Sequence, residues 1–414
     1  MTNRAHVLVR ALALASIVLL AGPGATKRER RWEVLYDVRV VPTEGVAHVE
    51  IRLEGYASLV EMMRFRTKPE RHSGFAGDGE ITPGEDGVYV TWIPPETGGS
   101  LRYDVRLDHL RDRARYDARV TNNWALFRGD DLVPPAKVEA VDDAPSESRL
   151  QFRLPKGWRV VTPYKRRSDD VFVIDHPHRM FDRPTGWMIA GRLGTLRENI
   201  AGTQVAISGP TGQGVRRHDM LALLRWTLPT LRSIVGALPD RLLVTSAGDP
   251  MWRGGLSGPS SLFVHADRPL ITSDLTSPLL HEVVHTVMSA RSGPDGDWIV
   301  EGLAEYFALQ VLVRSRTVSH RRYEKAIARL RARGRSVSDL AVEHADGDVT
   351  ARAVGVLADL DEEIRDRTNG KASLDDVFVR LTRSRLPITT KRLRTIVEKI
   401  AGSDFGAFFR RHVS

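Results

Sequence analysis

The stretch LLHEVVHTVM, residues 279–288, places two histidines and one glutamate at a spacing that suits metal binding. On a helix, His281 and His285 lie one turn apart on the same face, with Cβ atoms about 5–6 Å apart. Two imidazoles at that separation can hold one tetrahedral zinc ion. Glu282 lies beside them, where its carboxylate can take a proton from water activated by the metal. The chemistry that this pattern predicts is zinc-assisted hydrolysis with Glu282 as general base.

A second acidic pattern, in DWIVEGLAEYF (residues 297–307), can complete the metal site. A loop between the two segments allows the second helix to fold back antiparallel, so that Glu301 points at the same metal. Glu305, one turn further on, is placed to accept the free N–H of a ligand histidine. Two histidines and one glutamate leave the fourth zinc position open, which is typical of catalytic sites. The alternative is that both glutamates lie on a solvated helix face.

The segment that carries the histidines has helix start and stop signals of its own. Ser277 can cap the free N–H groups, Pro278 suits the first turn, and no helix breaker follows before Ser292. The rest of this helix is apolar, and burying two histidines and a glutamate in it without partners would cost several kcal/mol. The sequence therefore favours a functional site over an accidental placement of these three residues.

Strand patterns dominate the first half of the chain, and helical patterns dominate the second. Alternating segments separated by Gly, Pro and Asp clusters predict an antiparallel, β-sandwich-like domain over residues 31–195. Residues 196–315 hold short strands, a helix at 216–238 and both zinc-site segments, and form the predicted catalytic domain. Residues 316–414 predict a helical domain, so the fold class is α+β and multidomain. Helical patterns from the second zinc-site segment onward cover 298–315, 320–333, 349–367, 373–383, 390–402 and 404–412.

Composition limits the classes of protein that fit. The 414-residue chain has no cysteine, so disulfides, thiolate ligands and thiol nucleophiles are excluded, and a metal must be held by His, Asp and Glu. The net charge is +9 at pH 7, but the basic residues are spread along the whole chain rather than gathered in one stripe with aromatic residues. This distribution argues against nucleic acid as a partner.

The N-terminus has the pattern of an export signal. Arg4 and Arg10 precede an apolar run, and small residues with Pro23 follow it. The run is short for a membrane span, which favours a signal peptide at residues 1–25 over a single membrane anchor. No later stretch is long and apolar enough to cross a bilayer. We therefore expect a secreted or periplasmic protein with no stable membrane insertion after signal removal.

HEVVH followed by WIVEGLAEYF resembles the gluzincin metallopeptidases, the clan that includes thermolysin and the zinc aminopeptidases. Within it, RLQFRLPKGWRVVTPY, IRDRTNGKASLDDVFVRL and IAGSDFGAFFRRHV are similar to segments of the glycyl aminopeptidase family. The resemblance implies a β-rich N-terminal domain, a thermolysin-like α/β zinc domain and a helical C-terminal part, with a peptide or protein as substrate. It also implies that His281, His285 and Glu301 bind zinc, with Glu282 as general base and Glu305 supporting a ligand.

Two departures from the family pattern concern catalysis and specificity. Relatives carry an oxyanion-stabilising tyrosine in a Tyr-x-x-Gly pattern, but TARAVGVLADL (350–360) has Arg352 there, which is either a substitute donor or a surface residue. WRGGLSGPSSLFVHAD (252–267) suits a substrate-binding edge strand in which Gly254 and Gly255 allow close approach, or else a flexible loop. It lacks the glutamate with which aminopeptidases bind a free amine, so aminopeptidase and endopeptidase activity both stay open.

Three hypotheses about function follow from these patterns. The first is an exported zinc-dependent peptidase. The second is a zinc-binding, peptide-binding protein on the same scaffold with weakened turnover, which the arginine at the tyrosine position favours. The third is a non-enzymatic envelope protein in which HEVVH is accidental.

Overall fold

Alternation of apolar and polar residues produces strands through most of the N-terminal half, as in VAHVEIRLEG, where alternate side chains are buried. The structure, a computed structural model, describes residues 30–413 except positions 169, 177, 178 and 385. The predicted signal peptide at residues 1–25 lies outside the described residues. From residue 31 onward the described residues form one compact unit, and the predicted boundaries within it stay predictions.

The strands of the described residues concentrate before residue 211. They are β1 (Trp32–Val41), β2 (Val46–Gly55), β3 (Val60–Arg66), β4 (His72–Gly77), β5 (Glu80–Pro83), β6 (Tyr89–Ile93), β7 (Gly99–Arg106), β8 (His109–Leu110), β9 (Tyr116–Val120), β10 (Trp124–Arg128), β11 (Ala136–Ala140), β12 (Ser146–Arg153), β13 (Arg159–Val161), β14 (Lys165–Ser168), β15 (Val171–Ile174), β16 (Trp187–Gly191), β17 (Leu193–Ile200), β18 (Thr203–Pro210), β19 (Arg241–Thr245), β20 (Gly255–Gly258) and β21 (Ser261–Val264).

Three sheets built from β1 to β16 form the N-terminal half. Their strand orders are β14-β15-β12-β1-β2-β7-β4, β13-β16-β10-β9-β8 and β11-β3-β6-β5. Large side chains such as Trp32, Tyr36 and Phe65 fill their shared core. The expected β-rich architecture is present, but β1 and β12 pair in parallel and a third sheet is added. Periodicity along the chain cannot predict these features, because both depend on pairing between segments that are distant in sequence.

A fourth sheet supports the predicted zinc-site helices. Its order is β17-β18-β19-β21-β20, in which β18, β19 and β21 run parallel and the two edge strands run antiparallel to their neighbours. The strand β20 is therefore an edge strand. The helix that follows β21 packs across both β20 and β21, which places the HEVVH segment beside that edge.

The helices of the described residues lie mostly after residue 216. They are α1 (Gly129–Leu132), α2 (Arg217–Val235), α3 (Pro278–Met288), α4 (Asp297–Arg314), α5 (His320–Arg333), α6 (Gly347–Arg367), α7 (Leu374–Thr382), α8 (Thr390–Ala401) and α9 (Gly406–His412). The sequence patterns predicted α4 to α9 to within two residues at each end. Within the described residues, none of the helices is both long enough and apolar enough to cross a membrane.

The helix α4 is the centre of the helical half. It is buried on almost all sides, which is typical of a helix surrounded by other elements. It packs closely on α6, since a Cβ added to Gly302 would lie 2.7 Å from the Cβ of Ala353. This close contact fixes the helix that carries Glu301 and Glu305.

Candidate metal centre and its cleft

The start of α3 is set by its capping residue. The Ser277 hydroxyl accepts a hydrogen bond from the Leu280 N–H at 3.3 Å, and Pro278 occupies the first helical position. The apolar face of α3 packs into the core through residues such as Leu279 and Val283. The two histidines of HEVVH lie on another face of α3 and contact the glutamates of α4.

The start of α4 is anchored to α8 and to the loop before it. The Trp298 indole N–H donates to the Thr390 hydroxyl at 3.2 Å. Gly296 has no room for a side chain, because a Cβ there would lie 1.8 Å from the Ile388 carbonyl oxygen. These contacts fix the position at which α4 begins and thereby bring Glu301 to α3.

Three side chains from α3 and α4 converge on one point. His281 Nε2 lies 3.0 Å from His285 Nε2 and 3.2 Å from Glu301 Oε2, and His285 Nε2 lies 3.4 Å from Glu301 Oε1. Ligands about 2.0–2.1 Å from a tetrahedral zinc ion are about 3.3 Å apart, so the spacing fits this metal. The donor set also fits, because two imidazoles and one carboxylate are ordinary zinc ligands.

Glu305 holds one of these imidazoles in orientation. Its Oε2 lies 3.0 Å from His281 Nδ1, so a proton on Nδ1 leaves the Nε2 lone pair directed at the convergence point. Burial lowers the pKa of His281, but hydrogen bonds with Glu301 and Glu305 outweigh burial and raise that pKa well above its usual value. Burial raises the pKa of Glu301, but hydrogen bonds from both histidines outweigh it and lower that pKa. Both shifts have the direction expected where a positive charge is favoured beside the carboxylates.

Glu282 lies between the histidines and the edge strand β20. A Cβ added to Gly255 would lie 2.6 Å from Glu282 Cγ and 2.7 Å from its Oε1. Burial raises the pKa of Glu282, although His281 and His285 act in the opposite direction. Glycine at position 255 is thus what allows β20 to approach this carboxylate.

A cavity of about 940 Å³ opens over the cluster. Its lining includes His281, His285, Glu301, Glu305 and Glu282, and it extends along β20 past Gly254 and Gly255. At Gly254 a Cβ would collide with the Trp252 ring, at 2.0 Å, so this glycine is also required by close packing. The interpretation of residues 252–267 as an edge strand matches β20 and β21, in place of a flexible loop.

Arg352 is not brought to this cavity. The cavity wall on α6 is formed by Gly347, Thr350 and Ala351, whereas the backbone of Arg352 packs on Gly334. One position along a helix turns a side chain by about 100°, which is enough to direct it out of the cavity. None of the described residues that line the cavity is a tyrosine.

Sequence reasoning missed the contribution of the N-terminal half to the cavity. Arg111, in the loop between β8 and β9, places its guanidinium 4.4 Å from the centre of the Trp252 ring. A backbone bridge between Tyr116 and Met251 holds this loop beside the entry to β20. Tyr116 also accepts from the Trp252 N–H through its carbonyl, at 2.8 Å. No local signal marks Arg111, because its partner lies far away in sequence.

Comparisons with known proteins show which solved structures have a similar architecture. Neither a protein family model nor a curated protein matches the sequence. An aminopeptidase N family protein from Idiomarina loihiensis matches in structure at 15% identity and a TM-score of 0.71, over 92% of this chain and 76% of that chain. The M1 zinc metallopeptidase from Deinococcus radiodurans matches at 15% identity and a TM-score of 0.60, over 93% of each chain.

A glutamate-to-alanine mutant of the Deinococcus radiodurans enzyme, bound to a Tyr-Ser-Ala substrate, matches at 15% identity and a TM-score of 0.62, over 92% of this chain and 93% of that chain. At this level of identity the agreement establishes the fold. The resemblance noted in HEVVH and WIVEGLAEYF is thereby confirmed at the level of architecture: the chain has a gluzincin aminopeptidase-like fold.

Proposed function

We propose that this chain is an exported zinc-dependent peptidase in which His281, His285 and Glu301 bind zinc and Glu282 is the general base. The observation that supports it most is the convergence of three ligand atoms, all within 4.8 Å of one another, at the floor of an open cavity. We infer that α3, α4 and the sheet of β17 to β21 form a thermolysin-like catalytic part, between a β-sandwich-like N-terminal part and a helical C-terminal part.

Each residue of the site has a distinct task in this reaction. Zinc, when bound, supplies Lewis-acid chemistry that acidifies water and polarises a peptide carbonyl. The Glu282 carboxylate accepts the proton of the attacking water and later delivers it to the leaving amine. Glu305 keeps the proton of His281 on Nδ1, so that Nε2 stays available as a ligand.

The substrate is proposed to be a peptide bound along β20. This strand lies at the edge of its sheet, so an extended peptide can pair with it through main-chain hydrogen bonds. Gly255 keeps that edge clear of side chains next to Glu282. A peptide substrate, Tyr-Ser-Ala, is bound in one of the structurally similar enzymes, which supports the same class of ligand here. Export to the periplasm or out of the cell is proposed from the N-terminal residues 1–25.

The proposal is tested by metal content and peptide cleavage on the same preparations. We expect Glu282→Gln to retain zinc and to lower kcat/KM by about 100- to 10,000-fold, as expected for the loss of a general base. Glu362→Gln is a matched control, because Glu362 is exposed on α6 and does not line the cavity. Equal cleavage rates for wild type and Glu282→Gln would remove the peptidase proposal.

A second candidate function is a zinc-binding, peptide-binding protein with weakened turnover. The observation that favours it is the lack of a tyrosine among the described residues that line the cavity, together with Arg352 facing elsewhere. In that case wild type would bind zinc and peptides but cleave them no faster than Glu282→Gln does. The same experiment therefore separates the two functions.

A further inference from the structure

We propose that the cleft selects acidic peptides, by binding carboxylates that flank the cleaved bond. This inference rests on the proposed peptidase function and adds the chemical class of its substrate. It comes from the arginines that surround the zinc site and from the roles of the acids among them.

Five arginines from separate parts of the chain line the cavity. They are Arg111, Arg253, Arg268, Arg291 and Arg333. They come from the β8–β9 loop, the segment before β20, the segments on either side of α3, and the end of α5. Long-range folding thus gathers positive charge at one opening, although basic residues are spread evenly along the sequence.

Each of the four acids in the same lining already has a partner inside the protein. Glu301 and Glu305 contact the histidines, and Glu282 is buried beside His281 and His285, whose charges lower its pKa against the effect of burial. Asp346 caps α6 by accepting from the N–H groups of Asp348 and Val349 at 2.8 and 2.9 Å.

The unpartnered oxygen of Glu305, Oε1, is buried below the cavity surface. Of the four acids only Asp346 is an exposed residue, and its two capping bonds use Oδ1; the three acids beside the histidines are buried or half-buried. The five arginines of the described lining therefore outnumber its accessible carboxylates.

Two of the arginines have no carboxylate partner. Among the described residues, no Asp or Glu oxygen lies within ion-pair distance of Arg268 or Arg291, and both side chains are exposed. A cleft lined by one sign of charge concentrates ions of the opposite sign, so unpaired arginines at this opening attract carboxylates. These two residues are the main carboxylate-binding groups of the proposal.

Arg253 and Arg111 are held in position at the start of β20. Asp249 pairs with the Arg253 guanidinium, and the buried His265 ring lies 3.4 Å from the same carboxylate. Arg111 stacks on Trp252, with only a long contact of 4.0 Å to Asp117. Both guanidinium groups thus lie beside the edge along which a peptide would pair. The charge of Arg253 is balanced by Asp249, so Arg111 is the one of the two that adds positive charge there.

The test uses one peptide scaffold in four forms. Three forms are blocked at both ends and carry Glu, Gln or Lys on both sides of the cleaved bond. The fourth is the Gln peptide with a free C-terminal carboxylate, which separates side-chain carboxylates from a terminal one. With the zinc-loaded protein we expect kcat/KM for the Glu peptide to exceed that for the Gln peptide by about tenfold, the effect of two partly exposed ion pairs. The Lys peptide should be the poorest substrate.

Charge-removing variants identify the residues responsible. In Arg268→Gln/Arg291→Gln, the preference for Glu over Gln, taken as the ratio of the two kcat/KM values, should fall below about threefold. Arg321→Gln is the matched control, because Arg321 is exposed on α5 and outside the cavity lining, and it should keep the full preference. Raising the ionic strength to about 1 M, where the screening length is about 3 Å, should reduce the preference in wild type.

Binding supplies a readout that does not depend on turnover. With the full-length Glu282→Gln protein, fluorescence anisotropy should show tighter binding of the blocked Glu peptide than of the blocked Gln peptide, and the arginine variants should remove the difference. A gain with the free C-terminus alone would overturn the selection of acidic side chains and assign the arginines to a terminal carboxylate. Equal or weaker binding and cleavage of both carboxylate peptides would overturn this inference and leave the peptidase proposal intact. Selective binding of acidic peptides with no cleavage of any would support the inference and remove the peptidase proposal.

Discussion

Two buried clusters of charged side chains, one in each half of the molecule, differ in how their charges are balanced. In the β-rich half, Arg71 pairs with Asp131 at 2.8 Å, and Lys68 donates to the other Asp131 oxygen at 3.1 Å. The remaining Arg71 nitrogens donate to the carbonyls of Arg106 and Leu107, and His72 contacts the Asp131 carbonyl. The charges of this cluster are therefore balanced by partners inside the protein.

The cluster on α3 and α4 does not balance itself in the same way. Two imidazole nitrogens and a carboxylate face one point, and all three are electron-pair donors toward a cation. Nitrogens 3.0 Å apart can share at most one proton between them. A buried ion pair with balanced charges needs no ligand but is costly to break, whereas donors that converge on one point are suited to binding a positive ion.

The largest effect on stability is expected from breaking the cluster of Arg71 and Asp131. Arg71→Met leaves Asp131 buried without its main partner, so the free energy of unfolding should fall by about 3–5 kcal/mol. Zinc affinity should not change, since the cluster is in the other half of the chain. Denaturant unfolding and zinc titration measure the two quantities. Arg102→Met, which breaks an exposed pair with Glu50, is the control and should lower the free energy of unfolding far less than Arg71→Met does. A similar loss for both variants would show that the buried pair has no special role.

The next largest effect is the gain in stability of the protein when the site binds zinc. At free zinc about 100 times its dissociation constant, binding should stabilise the protein by about 2.7 kcal/mol, and a chelator should remove this gain. Thermal unfolding with zinc and with chelator measures it. In His285→Ala the two curves should coincide, because the site has lost a ligand. An unchanged melting temperature on chelation of wild type would contradict a metal centre.

A smaller effect is expected at Glu305, which contacts the proposed zinc ligand His281. Glu305→Gln removes the negative charge next to His281 Nδ1 and should weaken zinc binding by about 10- to 100-fold. Competition with a coloured chelator measures the affinity, with Glu362→Gln as the control of equal charge change. Equal affinities in the two variants would mean that Glu305 only fills space.

The smallest effect is expected at the edge strand. The added methyl of Gly255→Ala would lie 2.6 Å from Glu282 Cγ, so the strand or the carboxylate must shift. We expect kcat to fall by about tenfold, because small displacements of a catalytic group are costly, while zinc affinity stays unchanged. Gly258→Ala tests the other end of the same strand, where the nearest atom would be 3.3 Å away. If Gly255→Ala cleaves peptides as wild type does, β20 does not position the base.

Local signals in the sequence were sufficient for the helices from α2 onward and for the proximity of His281, His285 and Glu301. Ser277 and Pro278 define the start of α3 through interactions within one turn, and the spacing of His281 and His285 places both on one face. The Glu301 placement followed from the loop that lets the next helix return. These are short-range relations that the order of residues determines directly.

Non-local relations were not predicted. The parallel pairing of β1 with β12 and the approach of Arg111 to Trp252 join segments that are far apart in the chain. The Arg352 hypothesis relied on register within α6, where one position changes the direction of a side chain by about 100°. The positive lining of the cavity likewise could not be seen in a sequence whose arginines are dispersed.

Zinc stoichiometry tests the central claim most directly. Metal analysis of the purified chain after dialysis, combined with calorimetric titration of the metal-free protein, should give one zinc per chain for wild type. Glu301→Ala should lose that zinc, while Glu362→Ala should keep it. Wild type that binds no zinc, or Glu301→Ala that binds it as tightly as wild type, would contradict a site built from His281, His285 and Glu301.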